Sequence, residues 1–239
     1  MTAYLAQVRA ETRLLLRNGE QLLLTLGIPV LLLIFFSTVK VVDLGDGKRV
    51  QAVAPGILAL AVMSTAMVGL GIATGFERKY GVLKLLGATP LGRPRLLAAK
   101  ASTVALVEVL QFAVLSLIGL ALGWRPHLSV LLAIAAVLVG TACFAGIGLT
   151  LAGRLKGEVN LAAVNGLYLV LLLIGGMVVP LGNLPGPLRA VGRLLPSGAL
   201  SETIRQAVGA TTHTARPWVV LGIWAIVAGV AASRLFRWE

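Results

Sequence analysis

The chain has 239 residues, of which 58% are apolar and 13% charged, with a mean hydropathy of +0.94. Soluble domains are about half apolar and about a quarter charged. The composition therefore excludes an ordinary water-soluble enzyme and a disordered chain, and points to a protein solvated mainly by lipid. The net charge is +12, but most Lys and Arg residues lie between long apolar runs, where they read as topology signals and headgroup contacts. No basic stripe with interleaved aromatics marks a nucleic-acid surface.

Residues 4–20 come first. Leu5, Val8, Thr12 and Leu15 or Leu16 share one helical face, while Arg9, Arg13 and Arg17 recur every four residues on another. The pattern predicts a helix over 1–20 lying in the membrane interface; a charged extension of the first span is the plainer alternative. Charge-free runs follow at 21–39, 50–76, 101–124 (interrupted only by Glu108), 126–153, 159–188 and 217–233. A spanning helix needs about 20 apolar residues. The runs thus predict six spans, near 21–39, 53–75, 101–123, 129–151, 160–179 and 217–234. The first is too long for a signal-peptide core, and no small-residue cleavage site precedes Lys40. Pro29 predicts a bend in it. Trp218 and Trp238 flank the last span, suited to the two interfaces. Six spans place both termini on one side, which carries thirteen Lys and Arg residues against eight on the other. The positive-inside rule then assigns both termini to the cytoplasm.

Between the second and third spans, residues 77–100 read ERKYGVLKLLGATPLGRPRLLAAK. Val82, Leu85 and Leu86 fall at i, i+3 and i+4, and Gly87 and Pro90 end the helical pattern. The resulting short amphipathic helix has an apolar face that needs a partner, either the bilayer surface or another protein. After the fifth span, Leu184, Leu188, Val191 and Leu195 form one apolar stripe opposed by Arg189 and Arg193. Pro196 breaks it, and Leu200, Ile204 and Val208 form a second stripe, with Glu202 and Arg205 on a polar face. Two helices this short and charged predict a re-entrant or interfacial hairpin over 181–208 on the outer side.

Within the spans, Glu108 is the one acid deep in an apolar run, with Gln111 at i+3. An intramembrane carboxylate marks either a functional site or a structural hydrogen bond to a neighbouring helix. Asn165 and Tyr168 share a face of the fifth span, where they either line a substrate route or lock helix packing. The pairs Gly69/Gly71, Gly146/Gly148 and Gly175/Gly176 read as close helix contacts. Cys143, the single cysteine, reads as a small apolar packing residue. No phosphate loop, HExxH, paired acids or GxSxG occurs, which argues against nucleotide binding through that loop and against an intramembrane hydrolase.

Two stretches carry a family resemblance: Glu77, Arg78, Gly81, Leu83, Leu86, Thr89, Pro90 and Leu91, and then Asn183, Leu184, Pro185, Pro196, Glu202 and Arg205. In their order, between six spans and after an interfacial helix, the chain resembles the permease subunit of an ABC transporter of the ABC-2 (type V) class, similar to bacterial drug, polysaccharide and lipid exporters. Members often have an aromatic shortly after the second proline, where this chain has Ser197-Gly198-Ala199-Leu200. The resemblance implies an all-α polytopic membrane protein forming a single transmembrane permease domain over 1–239 in the cell membrane. It implies that 77–91 is a coupling helix docking into an ATPase subunit through Glu77, Arg78, Val82, Leu85 and Leu86, with Arg154 and Lys156, beside Glu158, as a second contact. It implies that the hairpin, with Pro185, Pro196, Glu202 and Arg205, caps the outer end of a pathway for which Glu108, Gln111, Asn165 and Tyr168 are candidate lining residues. The expected partners are ABC ATPase subunits, a second or homologous permease and membrane lipids, with no nucleic acid. The chain is expected to hold no cofactor or metal and to catalyse nothing itself, ATP and Mg belonging to the ATPase. Sparse intramembrane charge favours an amphiphilic cargo, exported as a drug, lipid or glycolipid. The alternative is an ion-coupled secondary transporter or channel, for which Glu108 is the one candidate ionisable group.

Overall fold

The computed structural model describes residues 2–17, 19, 23–40, 48–87 and 92–236, and the regular structure among them is all helical. Helix α1 covers Thr2–Arg17. A π-helical turn, Leu23–Gly27, leads into α2, Ile28–Thr38. A continuous rod then runs from α3, Arg49–Met63, through a second π-helical turn at Ser64–Gly69, into α4, Leu70–Lys79. The short α5, Val82–Gly87, precedes α6, Gly92–Ala121, α7, Val130–Arg154, and α8, Gly157–Ile174. Helices α9, Gly186–Gly192, and α10, Pro196–Ala207, form a hairpin, and α11 follows over Ala215–Leu235.

Among the described residues, five segments are long and apolar enough to cross a membrane: Arg49–Lys79, Ala98–Ala121, Val130–Arg154, Gly157–Ile174 and Ala215–Leu235. The apolar helix Thr25–Thr38 is shorter. The fifth expected span reaches 179 in the sequence, but α8 ends at Ile174. Gly176 turns the chain there with φ +66, a conformation that favours glycine. Thr89, Pro90, Leu91 and Trp238, and the side chains of Leu15, Leu16 and Arg17, lie outside the described residues.

The rod Arg49–Lys79 is the centre of the fold. Val53 through Met63 are buried without interruption, and α2, α6, α7, α8 and α10 pack around the rod. A helix buried on all sides needs apolar side chains on all sides, and this stretch has them. Helix α7 packs along α4, α10 and α11. Small residues set its distances: a Cβ on Gly148 would stand 2.6 Å from the Met67 carbonyl oxygen, and one on Gly146 2.8 Å from the Ala228 backbone. Gly71 faces Gly148 at 3.1 Å by the same measure, whereas Gly69 meets no other helix within 4 Å.

The rod and the helices around it define two ends. One carries α1, α5 and the α7–α8 turn and is rich in charge. The other carries the α9–α10 hairpin. At the charged end α1 packs on α6, turning Tyr4, Gln7, Val8, Glu11 and Thr12 partly inward while Leu5, Arg9 and Arg13 stay exposed. The predicted apolar face is therefore split, because the contacts that hold α1 are polar.

Candidate functional site

At the charged end, three consecutive residues at the foot of the rod each bind a different neighbour. The Lys100 ammonium on α6, only 4% exposed, meets Glu77 at 2.7 Å and Glu11 of α1 at 3.2 Å. Arg78 donates to the carbonyls of Gly153 and, at 2.6 Å, Leu155. It thus satisfies the C-terminal carbonyls of α7 with a cation, where the helix dipole favours one. Lys79 pairs with Glu158 of α8 and lies over the stacked rings of Phe76 and Tyr80. Tyr4 and Ser102 share a hydrogen bond of 2.6 Å, again joining α1 to α6. Glu77 and Arg78, singled out above for a partner, are thus engaged within the chain. Arg154 and Lys156 are exposed beside them.

Helix α5 hangs from this braced platform. Gly81 makes the sharp turn into it at φ +73. Leu83 is fully buried and packs with Leu96, Tyr4, Leu86 and Phe236. Leu85 is 72% exposed, and Tyr80 and Val82 are exposed with it. The sequence grouped Val82, Leu85 and Leu86 as the face needing a partner. The structure splits that group: Leu86 turns inward with Leu83, which anchors the helix, and Val82 and Leu85 face outward.

In the interior, the polar groups tie helices together. Pro29 has no N–H to give the carbonyl of Thr25, four residues earlier. Gln111 of α6 donates to that carbonyl at 2.7 Å and accepts from the Thr65 hydroxyl at 2.8 Å. One side chain therefore joins both π-helical turns, structures often found at functional sites. Thr141 of α7 donates to Glu108 Oε2 at 2.7 Å, linking α6 to α7, while Glu108 Oε1 has no partner among the described residues. Asn165 is exposed and donates to Leu161 of its own helix, and Tyr168 packs half-buried against the core. Glu108 and Gln111 thus bond to neighbouring helices, whereas Asn165 bonds within its own.

Asn160, which sequence reasoning passed over, is fully buried and donates to the Gly71 carbonyl at 2.9 Å. Gly75 leaves it the room, since a Cβ there would stand 2.4 Å from Asn160 Nδ2. The available signal was an Asn followed by small residues in the first turns of an otherwise apolar helix. Gln111→Leu removes both of its bonds and is expected to lower stability by about 1–2 kcal/mol. Asn165→Leu is expected to stay within about 0.5 kcal/mol. Thermal unfolding in detergent checks both.

The hairpin end is built around Arg205. The sequence placed it on a polar face with Glu202, yet it is 4% exposed. Its Nη1 donates to the Ala52 carbonyl at 2.6 Å and its Nη2 to the Gly176 carbonyl at 3.1 Å. Burial pulls the guanidinium down to about 10, which leaves it charged at neutral pH. Ser201 also donates to Gly176 O, at 2.8 Å. Pro55 lies inside α3 beside this contact and has no N–H to give the helix. Pro196 starts α10 and Pro185 precedes α9, positions that tolerate proline's missing donor.

The Ser197-Gly198 departure has a steric reason: a Cβ on Gly198 would stand 1.9 Å from the Gly192 carbonyl oxygen. Further contacts hold the hairpin down. His127 and Ser129 donate backbone N–H groups to Val208 and Ala207, and Trp224 donates to the Leu194 carbonyl at 2.9 Å. Trp218 donates to Gln206 at 2.8 Å. In the first predicted stripe Leu188 and Val191 face outward while Leu184 is half-buried and Leu195 packs on the core, and Leu200, Ile204 and Val208 of the second are buried. Glu202 lines a cavity of about 850 Å³ between the hairpin, the start of α3 and the loops before α7 and α11.

A family model described as "ABC-2 type transporter" matches residues 2–208. The protein named "Putative transport permease YvfS" from Bacillus subtilis (strain 168) is 27% identical over 191 residues, which cover 79% of this chain and 78% of that protein.

Proposed function

The chain belongs to the ABC-2 type transporter family, and on that premise we propose that it is the permease subunit of an ATP-driven exporter moving an amphiphilic substrate across the cell membrane. Separate ATPase subunits supply the energy, and a second or homologous permease completes the assembly. The chain crosses the membrane six times, the shorter Thr25–Thr38 helix being the first crossing, with both termini in the cytoplasm. The charge bias supports that orientation.

The observation that carries the reading is the geometry of α5. A short helix is anchored by one buried leucine and presents Leu85, Val82 and Tyr80 outward. Soluble and membrane proteins alike seldom leave such groups in water without a partner. Glu77, Arg78 and Lys79 bind α5's platform to α1, α6, α7 and α8, so a push on α5 reaches most of the bundle at once. Such bracing lets two packed halves rock as bodies.

Leu85→Asp is expected to leave expression and membrane insertion unchanged and to weaken retention of the ATPase by at least about tenfold, the effect of losing an interface anchor. Leu83→Asp is expected instead to destabilise the chain itself, since it places a charge in a buried contact. Co-purification of a phosphate-loop ATPase with the two variants checks this. An unchanged ATPase yield with Leu85→Asp overturns the assignment of α5.

A further inference from the structure

The cavity at the hairpin end is unusually basic. Among the described residues, Arg125, Arg193, Arg205 and Arg216 line it with a single carboxylate, Glu202, and the other polar groups are amides and hydroxyls such as Gln51 and Thr214. The charge bias that orients membrane proteins disfavours Lys and Arg on this side, so four arginines around one space need a local reason. Arg205 is already fixed by two carbonyls, and among the described residues its buried Nε has no partner, so a charged guanidinium with one unused N–H stands at the cavity wall.

A second, apolar groove of about 390 Å³ lies alongside, lined by Leu58, Phe112, Leu120, Leu128 and Ile204 among others. Trp124 and Val208 line both spaces, so the two share a wall. One is cationic and polar and the other apolar, and together they have the outline of an anionic amphiphile.

We propose that the arginine-lined cavity and the groove beside it form one site for an anionic phospholipid, a lipid of net negative charge, with the phosphate among the arginines and a hydrocarbon chain in the groove. Guanidinium groups suit the planar, bidentate recognition of phosphate. The proposal rests on the export reading only for the consequence that such a lipid is cargo or a regulator of cargo release. Binding itself needs no ATPase, so it is tested separately from that reading.

The experiment uses the full chain purified in a neutral detergent and follows thermal unfolding with three probes: dioctanoyl phosphatidylglycerol, dioctanoyl phosphatidylcholine and inorganic phosphate. Phosphatidylglycerol is expected to raise Tm in a saturable manner, the phosphatidylcholine to act at least tenfold more weakly, and inorganic phosphate to have little effect. Arg193 and Arg216 are exposed, so the double variant Arg193→Gln/Arg216→Gln is expected to keep its unliganded Tm and to lose at least tenfold in apparent affinity. Filling the groove with Ser116→Phe is expected to weaken the lipid effect as well. Equal stabilisation by inorganic phosphate would mean a free-anion site and overturns the proposal, as does equal stabilisation by the neutral lipid or an unchanged affinity in the double arginine variant. ATPase co-purification is unaffected by any of these outcomes, so a failed lipid site and a failed exporter reading give different results.

Discussion

Gly56→Ala is expected to destabilise the chain by about 3 kcal/mol or more, at the upper end of the range for overpacking a core. A Cβ at this position would stand 1.8 Å from the Met177 carbonyl oxygen and 2.7 Å from its carbon. Both obstacles are backbone atoms, so no rotamer change relieves them. The turn at Met177 would have to move, and that turn carries the Gly176 carbonyl to which Arg205 and Ser201 donate. The intrinsic gain from replacing glycine by alanine in a helix is at most about 1 kcal/mol, so the clash wins. Gly166→Ala is the matched control. It lies within α8 with nothing within 4 Å of the added carbon, and it is expected to be neutral or stabilising by less than about 1 kcal/mol. Unfolding followed by tryptophan fluorescence in detergent checks the pair. Gly56→Ala with the stability of the parent chain would refute the close approach of α3 to the hairpin turn.

Replacing Arg205 is the second large effect. Arg205→Met keeps the length and apolar stem of the side chain and removes both hydrogen bonds. Charged hydrogen bonds contribute about 1.5–3 kcal/mol each, net of desolvation. Part of the loss is offset: Gly176 O retains Ser201, and the cost of the unpartnered Nε disappears. The expected net loss is about 2–4 kcal/mol, read as a lower Tm. Arg205→Lys is expected to recover little of it, because an ammonium has no planar fork with which to reach two carbonyls on different segments. A lysine variant as stable as the parent would show that charge, and not the two-carbonyl bridge, holds the hairpin. The added Cβ of Gly56→Ala would also approach Arg205 Nη2 at 3.0 Å. The two substitutions act on one contact, so their combined effect is expected to fall short of their sum.

Several features of the site were legible from single residues. Pro29 predicts a bend in the first apolar helix, and beside it the Gln111 amide donates to the Thr25 carbonyl. The Gly146/Gly148 pair announced a close helix approach, and α7 does approach the rod and α11 there. Leu85 belonged to an apolar face without a partner, and it is exposed. Other features misled for a common reason. Arg205 and Glu202 look alike on a helical wheel, yet one is buried and bridges two carbonyls while the other is only half-buried. Asn165 read as either lining a route or locking helix packing, and it bonds to its own helix, while Asn160, five residues earlier, clamps the rod. Helical periodicity identifies faces, but it does not say which neighbour a face meets.

The linear order of apolar and charged residues was by itself enough to determine that this chain is helical and lives in lipid, because a backbone without water must satisfy its own hydrogen bonds and only a limited set of elements can do so. It also determined where the chain turns, since charge, proline and glycine interrupt helices at short range. Only the tertiary structure decided which polar side chains are anchors and which are free to meet a ligand. Lys100 gathers Glu77 and Glu11 from positions 23 and 89 residues away, and Arg205 reaches Ala52 across 153 residues. Contacts at that separation are set by packing distances between helices, where a single Cβ decides whether two backbones approach, and no local pattern encodes them.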